Sequence, residues 1–261
     1  MNRQHRKFCR FFLLVCTIFF VDGIFLHSSA RTAGQNRTKS KPGWFWNQPV
    51  TCGMTAVGVS RHSVLYPENS KKVAHEKGVH AYLRQSESHH SGGIAFSITE
   101  RGAVWLGGDQ TETYDESRLE DYLENLEILD YQVSGNLCMV LVGPETCRDD
   151  VDNRSHSYPL LHRPAWVDET PSNHGFIYAA GVSEGYYYSV SSWDLAEKMA
   201  HRNLSASIQS RIQGLHDQAT GTSHEILYSD QKVTLNFAVV TSRYHDPATN
   251  LYYVLVRMPI R

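Results

Sequence analysis

LCMVLV at residues 137–142 returns as LYYVLV at residues 251–256, identical at four of six positions. Each run closes a longer segment of the same kind, LEILDYQVSGNLCMVLV at 126–142 and VTLNFAVVTSRYHDPATNLYYVLV at 233–256. In both, a Tyr ends one apolar run, a polar turn follows (VSGN or DPATN), and Asn-Leu opens the last run. Apolar runs separated by such turn residues predict a β-hairpin at the end of each segment.

The correspondence extends towards the N-terminus. Ala196, Met199, Ala200, Leu204, Ile208, Ile212 and Leu215 recur at spacings of three and four, which predicts a helix with one apolar stripe, capped by Ser191 or Ser192. A shorter stripe, Val73, Ala74, Gly78, Ala81 and Tyr82, predicts a helix in the first segment, with Asn69 or Ser70 as cap. Gly78 costs about 1 kcal/mol relative to Ala in a helix, a cost explained if the helix must approach a sheet closely, and Ala200 occupies the matching place. Ahead of the helices stand MTAVGVS at 54–60 and IYAAGVS at 177–183, each predicted as a strand. Ahead of those stand PGWFWNQP at 42–49 and PAWVDETP at 164–171, which share the frame P-x-W-x-x-x-x-P. Trp44 and Trp166 are read as plugs closing one end of each small core.

A repeated order of strand, helix and hairpin predicts an α+β fold of two tandem small modules, each a helix packed on an antiparallel sheet. The boundaries follow from composition. Residues 1–30 are read as a signal peptide or N-terminal anchor and 31–41 as a linker. Residues 42–147 make the first module, 148–163 a second linker, and 164–261 the second module. The first module carries an insertion at about residues 86–125, with two strand-like runs about Arg101-Gly102 and an acidic helical stretch. The second has only a polar stretch, His216 to Lys232, in that place.

Arg3, Arg6, Lys7 and Arg10 precede an apolar run from Phe11 to Val21, which Asp22 interrupts. An apolar core of roughly 7–15 residues behind a basic start is the pattern of an export signal, whereas a spanning helix needs about 20. Small residues for cleavage occur at Ser28 and Ala30, and extension of the run to Leu26 leaves an uncleaved anchor open. Val15 before Cys16 makes that cysteine a poor lipidation site. The expected address is the periplasm or a membrane surface, the outer membrane included. A formal net charge of −2 argues against nucleic acid as partner.

Pro164, Trp166, Tyr178, Gly181, Ser192, Ala196, Ala200, Tyr253, Val254 and Leu255 carry a pattern that resembles the LPP-twenty lipoprotein family of the bacterial cell envelope. The resemblance is best over 164–257 and fainter over 42–142. It implies a compact α+β module held against a membrane, a part in outer-membrane integrity or in envelope parts of flagella, and no enzyme activity. Two features depart from the family pattern: no good lipidation cysteine is present, and the module occurs twice.

No catalytic, cofactor or metal residues are assigned. Gly181, Ser183 and Gly185 fit G-x-S-x-G, the basis of an alternative reading as a small serine hydrolase. That elbow needs its helix to begin at once, yet YYYSVSS intervenes, and the matching first-segment stretch reads GVSRH, so a glycine-rich strand exit is preferred. His75 and His80, five apart, do not share a helix face, and His89 and His90 fall in a Ser/Gly-rich loop. A weak metal or ligand site in the insertion is the remaining alternative.

Cys52, Cys138 and Cys147 survive processing. Cys52 precedes the first strand of its module and Cys147 follows the last, so antiparallel neighbours would bring them together as a disulfide, with Cys138 a buried thiol. Tyr186, Tyr187 and Tyr188 cannot all enter one core and are read as an interaction surface. The expected role is a non-enzymatic envelope component that binds envelope proteins or itself, with no cofactor.

Overall fold

The computed structural model describes residues 40–92, 94–99, 102–107, 111–152, 162–220, 226–229 and 232–260, with the backbone alone for 94–99, 102–107, 152, 212–220 and 226–229. The segment read as a signal peptide or anchor and most of the stretch read as the first linker lie outside these residues. Lys39–Arg261 make one compact unit. It is a mixed helix and strand protein whose sheets are small, three-stranded and antiparallel.

A short helix, α1 (Gly43–Trp46), leads into β1 (Ala56–Arg61), α2 (Pro67–Ser86), and the strands β2 (Glu87–Ser91), β3 (Ile94–Thr99), β4 (Gly102–Gly107) and β5 (Thr111–Thr113). Then come α3 (Leu119–Asn125), β6 (Glu127–Ser134), β7 (Leu137–Gly143) and α4 (Arg148–Asp152). The second half has β8 (Phe176–Glu184), α5 (Ser189–Thr220), β9 (Ile226–Ser229), β10 (Val233–Asn236), β11 (Val239–Asp246) and β12 (Leu251–Pro259).

The sheets β1-β7-β6 and β8-β12-β11 have the same strand order. Their registers match as well: Gly58 faces Val140 in one, and Gly181 faces Val254 in the other. Each terminal hairpin is irregular at one place, between Ile128 and Asp130 and between Val240 and Ser242, opposite the matching pairs Leu141-Val142 and Leu255-Val256. A helix lies against each glycine. A Cβ on Gly58 would stand 1.8 Å from the Ala74 carbonyl oxygen, and one on Gly181 would stand 2.2 Å from that of Ala196. This close approach accounts for the small residues at 74, 78, 196 and 200.

Both helices begin earlier than their expected caps. α2 starts at Pro67, whose fixed φ suits a first helical position, and Tyr66 supplies no side-chain cap. α5 starts at Ser189. The serines instead sit inside the helices and tie down the preceding loops: Ser70 Oγ accepts from Ser63 N at 2.9 Å, and Ser192 Oγ from Tyr186 N at 2.8 Å.

The halves differ in how their sheets are covered. Cys138, Val140 and Val142 face α2, while Leu137, Met139 and Leu141 point to the other side, where they join Trp44, Phe45, Trp193, Ala196 and Ala200 in one core. β7 is therefore buried along its whole length, as strands covered on both faces are. In the second sheet α5 covers one face, and the other leaves Val182 46% exposed. The region from Pro42 to Gln48 crosses between the halves. Phe45 stacks edge-on against Trp193 at 5.3 Å, and Gln48 N donates to Thr241 O at 3.0 Å.

Trp44 fills the role of a core plug, fully buried with Nε1 donating to Asp130 at 2.6 Å. Trp166 does not: it is half-buried and outside the described core cluster, to which α1 contributes Trp44 and Phe45. The 148–163 stretch read as a linker begins as helix α4, with Val151 buried. Parts of the polar stretch His216–Lys232 carry regular secondary structure. α5 continues to Thr220, β9 pairs with β3, and the following β10 pairs with β2, so the insertion's sheets each take one strand from the other half.

Cys52 and Cys147 are joined by a disulfide across a sequence separation of 95, and Cys138 is a buried free thiol. A crosslink closing a loop of that length contributes about 2–5 kcal/mol by restricting the unfolded chain.

Candidate functional site

Charged side chains meet in the interior where α2, α5 and β11 converge. Arg84 Nη2 donates to Glu197 Oε1 at 2.7 Å, and Arg243 Nη2 to Glu197 Oε2 at 3.1 Å. Glu197 and Arg243 are 6% and 1% exposed. Burial by itself opposes ionisation of Glu197, but the two guanidiniums outweigh it and hold the carboxyl below its usual range. Amides complete the network. Arg243 Nη1 donates to Gln48 Oε1 at 3.2 Å, and Gln85 Oε1 accepts from Gln48 Nε2 and from Val240 N. His201 spans the carbonyls of Glu197 and Ala238, at 3.1 and 3.0 Å.

Beside this network lies a cavity of about 280 Å³ whose lining includes Lys77, His80, Arg84, Tyr114, Trp193 and Glu197. Trp193 Nε1 and Arg84 Nε are buried and have no hydrogen-bond acceptor among the described residues. Of these residues only His80 figured in the sequence reading, as a candidate metal ligand. One signal was available: Glu197 and His201 lie on the apolar stripe of α5, one residue beyond Ala196 and Ala200, where a solvated helix face would not place them.

The residues that sequence did single out lie elsewhere. Tyr186, Tyr187 and Tyr188 are 55%, 91% and 40% exposed, in the loop between β8 and α5. The matching loop between β1 and α2 exposes Val64, Leu65 and Tyr66. Arg61 links them, its guanidinium 4.8 Å from the Tyr188 ring centroid and its Nη1 donating to Tyr188 Oη at 3.2 Å.

Ser183 lies within β8, paired with Tyr252, and its hydroxyl donates to Glu184 O at 2.9 Å. The strand runs on to Glu184 and the helix begins only at Ser189, so the turn required of a nucleophile elbow is not formed. His89 and His90 lie on strand β2 and not in a loop; alternation leaves His89 exposed and His90 buried. Among the described residues no group of three or more His, Cys, Asp or Glu side chains is placed to hold a metal ion.

Burial, with His201, Arg84 and Arg202 nearby, pushes the His90 imidazole down to about 3 from 6.5. The unfolded chain then binds a proton that the folded one refuses, so stability falls as pH drops from 6.5 towards 3, by up to ~1.4 kcal/mol per pH unit. His75, also lowered mainly by burial, acts in the same direction. Urea unfolding at pH 7, 6 and 5 is expected to show this loss, and His90→Gln to flatten it; an equal slope in the variant assigns the loss to other groups.

Comparison with known proteins returned no matching family, no matching curated protein and no matching solved structure.

Proposed function

We propose that the chain is an exported, non-enzymatic envelope component built from two tandem copies of one LPP-twenty-like module, and that it holds an envelope protein on the surface formed by its two strand-to-helix loops. The shared strand order, the paired registers of Gly58 and Gly181, the matched hairpin irregularities and the equivalent Ser70 and Ser192 contacts support the duplication. Among the described residues no helix is long and apolar enough to cross a membrane. The N-terminal basic and apolar segment supports export.

One observation carries the interaction reading. Val64, Leu65, Tyr66, Tyr186, Tyr187 and Tyr188 are all exposed, and Arg61, at the end of β1 where the first loop begins, contacts Tyr188 of the second. Aromatic residues concentrated on a surface mark contact sites, since they supply large areas at small entropic cost. Tyr187, the most exposed of the six, packs its ring against Tyr188 at 4.8 Å.

Photo-crosslinking from position 187 in producing cells is expected to trap a discrete partner. Tyr187→Ser is expected to weaken capture about tenfold or more while changing stability by less than about 0.5 kcal/mol. Equal crosslinking from position 187 and from the exposed Glu124 on α3 would sink the assignment.

A further inference from the structure

We propose that the cavity between α2 and α5 binds a small organic carboxylate whose other end is apolar. Four cationic side chains line it, Lys77, Arg84, Lys198 and Arg243, against two carboxylates, Asp194 and Glu197. Both carboxylates are engaged. Glu197 is shared between the two guanidiniums at 2.7 and 3.1 Å, and Asp194 takes Lys198 at 2.9 Å. Two positive charges are left over among these lining groups, one on the buried guanidinium pair and one on exposed Lys77.

Arg84 and Arg243 share the one buried carboxylate that they contact directly, with Glu112 and Asp194 adding negative charge near Arg84. Arg84 Nε and Trp193 Nε1 add two buried donors that no acceptor meets among the described residues. Buried donors without partners are rare in folded proteins. A carboxylate seated against Arg84 supplies the missing acceptors.

The other wall sets the rest of the ligand. Val57, Val59, Ala81, Val190 and Trp193 present an apolar surface that inorganic phosphate would leave uncovered. An engineered cavity of roughly 150 Å³ admits benzene, so about 280 Å³ suits a body of about ten heavy atoms, the size of phenylacetate. Lys77 and Lys198, both exposed, mark the entrance.

The test is calorimetric titration of the full chain with phenylacetate, its uncharged counterpart 2-phenylethanol, and inorganic phosphate. Phenylacetate is expected to bind at one site per chain, and 2-phenylethanol and phosphate each at least ~10-fold more weakly. Arg84→Met risks the fold, so the decisive variant is Lys77→Met at the exposed rim. It is expected to weaken phenylacetate at least ~5-fold with no change in melting temperature. No binding of phenylacetate, equal binding of 2-phenylethanol or of phosphate, or undiminished binding to Lys77→Met each overturns the proposal.

Discussion

Gly181→Ala is expected to lose about 3 kcal/mol or more of stability, although one methyl group is all that changes. In a strand this substitution ordinarily stabilises by roughly 0.5–1 kcal/mol, because glycine loses the most freedom on folding. Here the added Cβ would stand 2.2 Å from both the Ala196 carbonyl oxygen and the Ala200 nitrogen, and 2.8 Å from the Ala200 Cα. All three are backbone atoms of a helix and cannot rotate aside. The helix must move off the sheet, which uncovers Val254, Val256 and the core they share with Trp193. Gly58→Ala meets the same obstacle, 1.8 Å from the Ala74 carbonyl oxygen, and is expected to lose at least as much. Gly175→Ala, with nothing within 4 Å, is the control and is expected to stay within about 0.5 kcal/mol of the parent. Urea unfolding of the three variants decides; a Gly181→Ala chain as stable as the parent would mean that helix and sheet are not in this contact.

Removal of Glu197 has a comparable expected effect for an electrostatic reason. Glu197→Ala leaves Arg84 and Arg243 facing each other away from water, and breaking one partner of a buried pair costs about 3–5 kcal/mol. Replacing all three residues, Arg84→Met with Glu197→Leu and Arg243→Met, removes the unpaired charges together and is expected to recover most of the loss. The same carboxylate makes the fold sensitive to acid. Its ionised form is favoured in the folded chain, so the stability it contributes is present above its unfolded value of 4.5 and is lost as pH falls below it. Glu197→Ala is expected to lack that component. If Glu197→Ala unfolds at the parent's urea midpoint, the pairing does not hold the interior together.

The hairpins, the two long helices and their shared order were legible from turn residues and apolar spacing, since those signals are local. The small residues at 58, 78, 181, 196 and 200 were legible for a related reason: repetition of the same small side chains at the same offset marks a contact before its geometry is known. Caps were misread because Ser70 and Ser192 bond backward to a loop, and sequence does not show which direction a serine faces. The ionic interior was missed because Arg84, Glu197 and Arg243 come from three distant segments, and the one local mark, Glu197 on the apolar stripe of α5, does not show its partners.

Sequence by itself determined what repeats: strand, helix and hairpin, twice, with glycines where helix meets sheet. Tertiary structure alone decided what the two halves do to one another. Phe45 and Gln48 of the first half enter the second, β9 and β10 of the second each join one of the insertion's sheets, and one carboxylate on α5 serves an arginine from each half. The physical reason is range. Propensity, turn chemistry and apolar period act within a few residues along the chain, whereas charge pairing and burial act through space, between residues whose separation in sequence carries no signal.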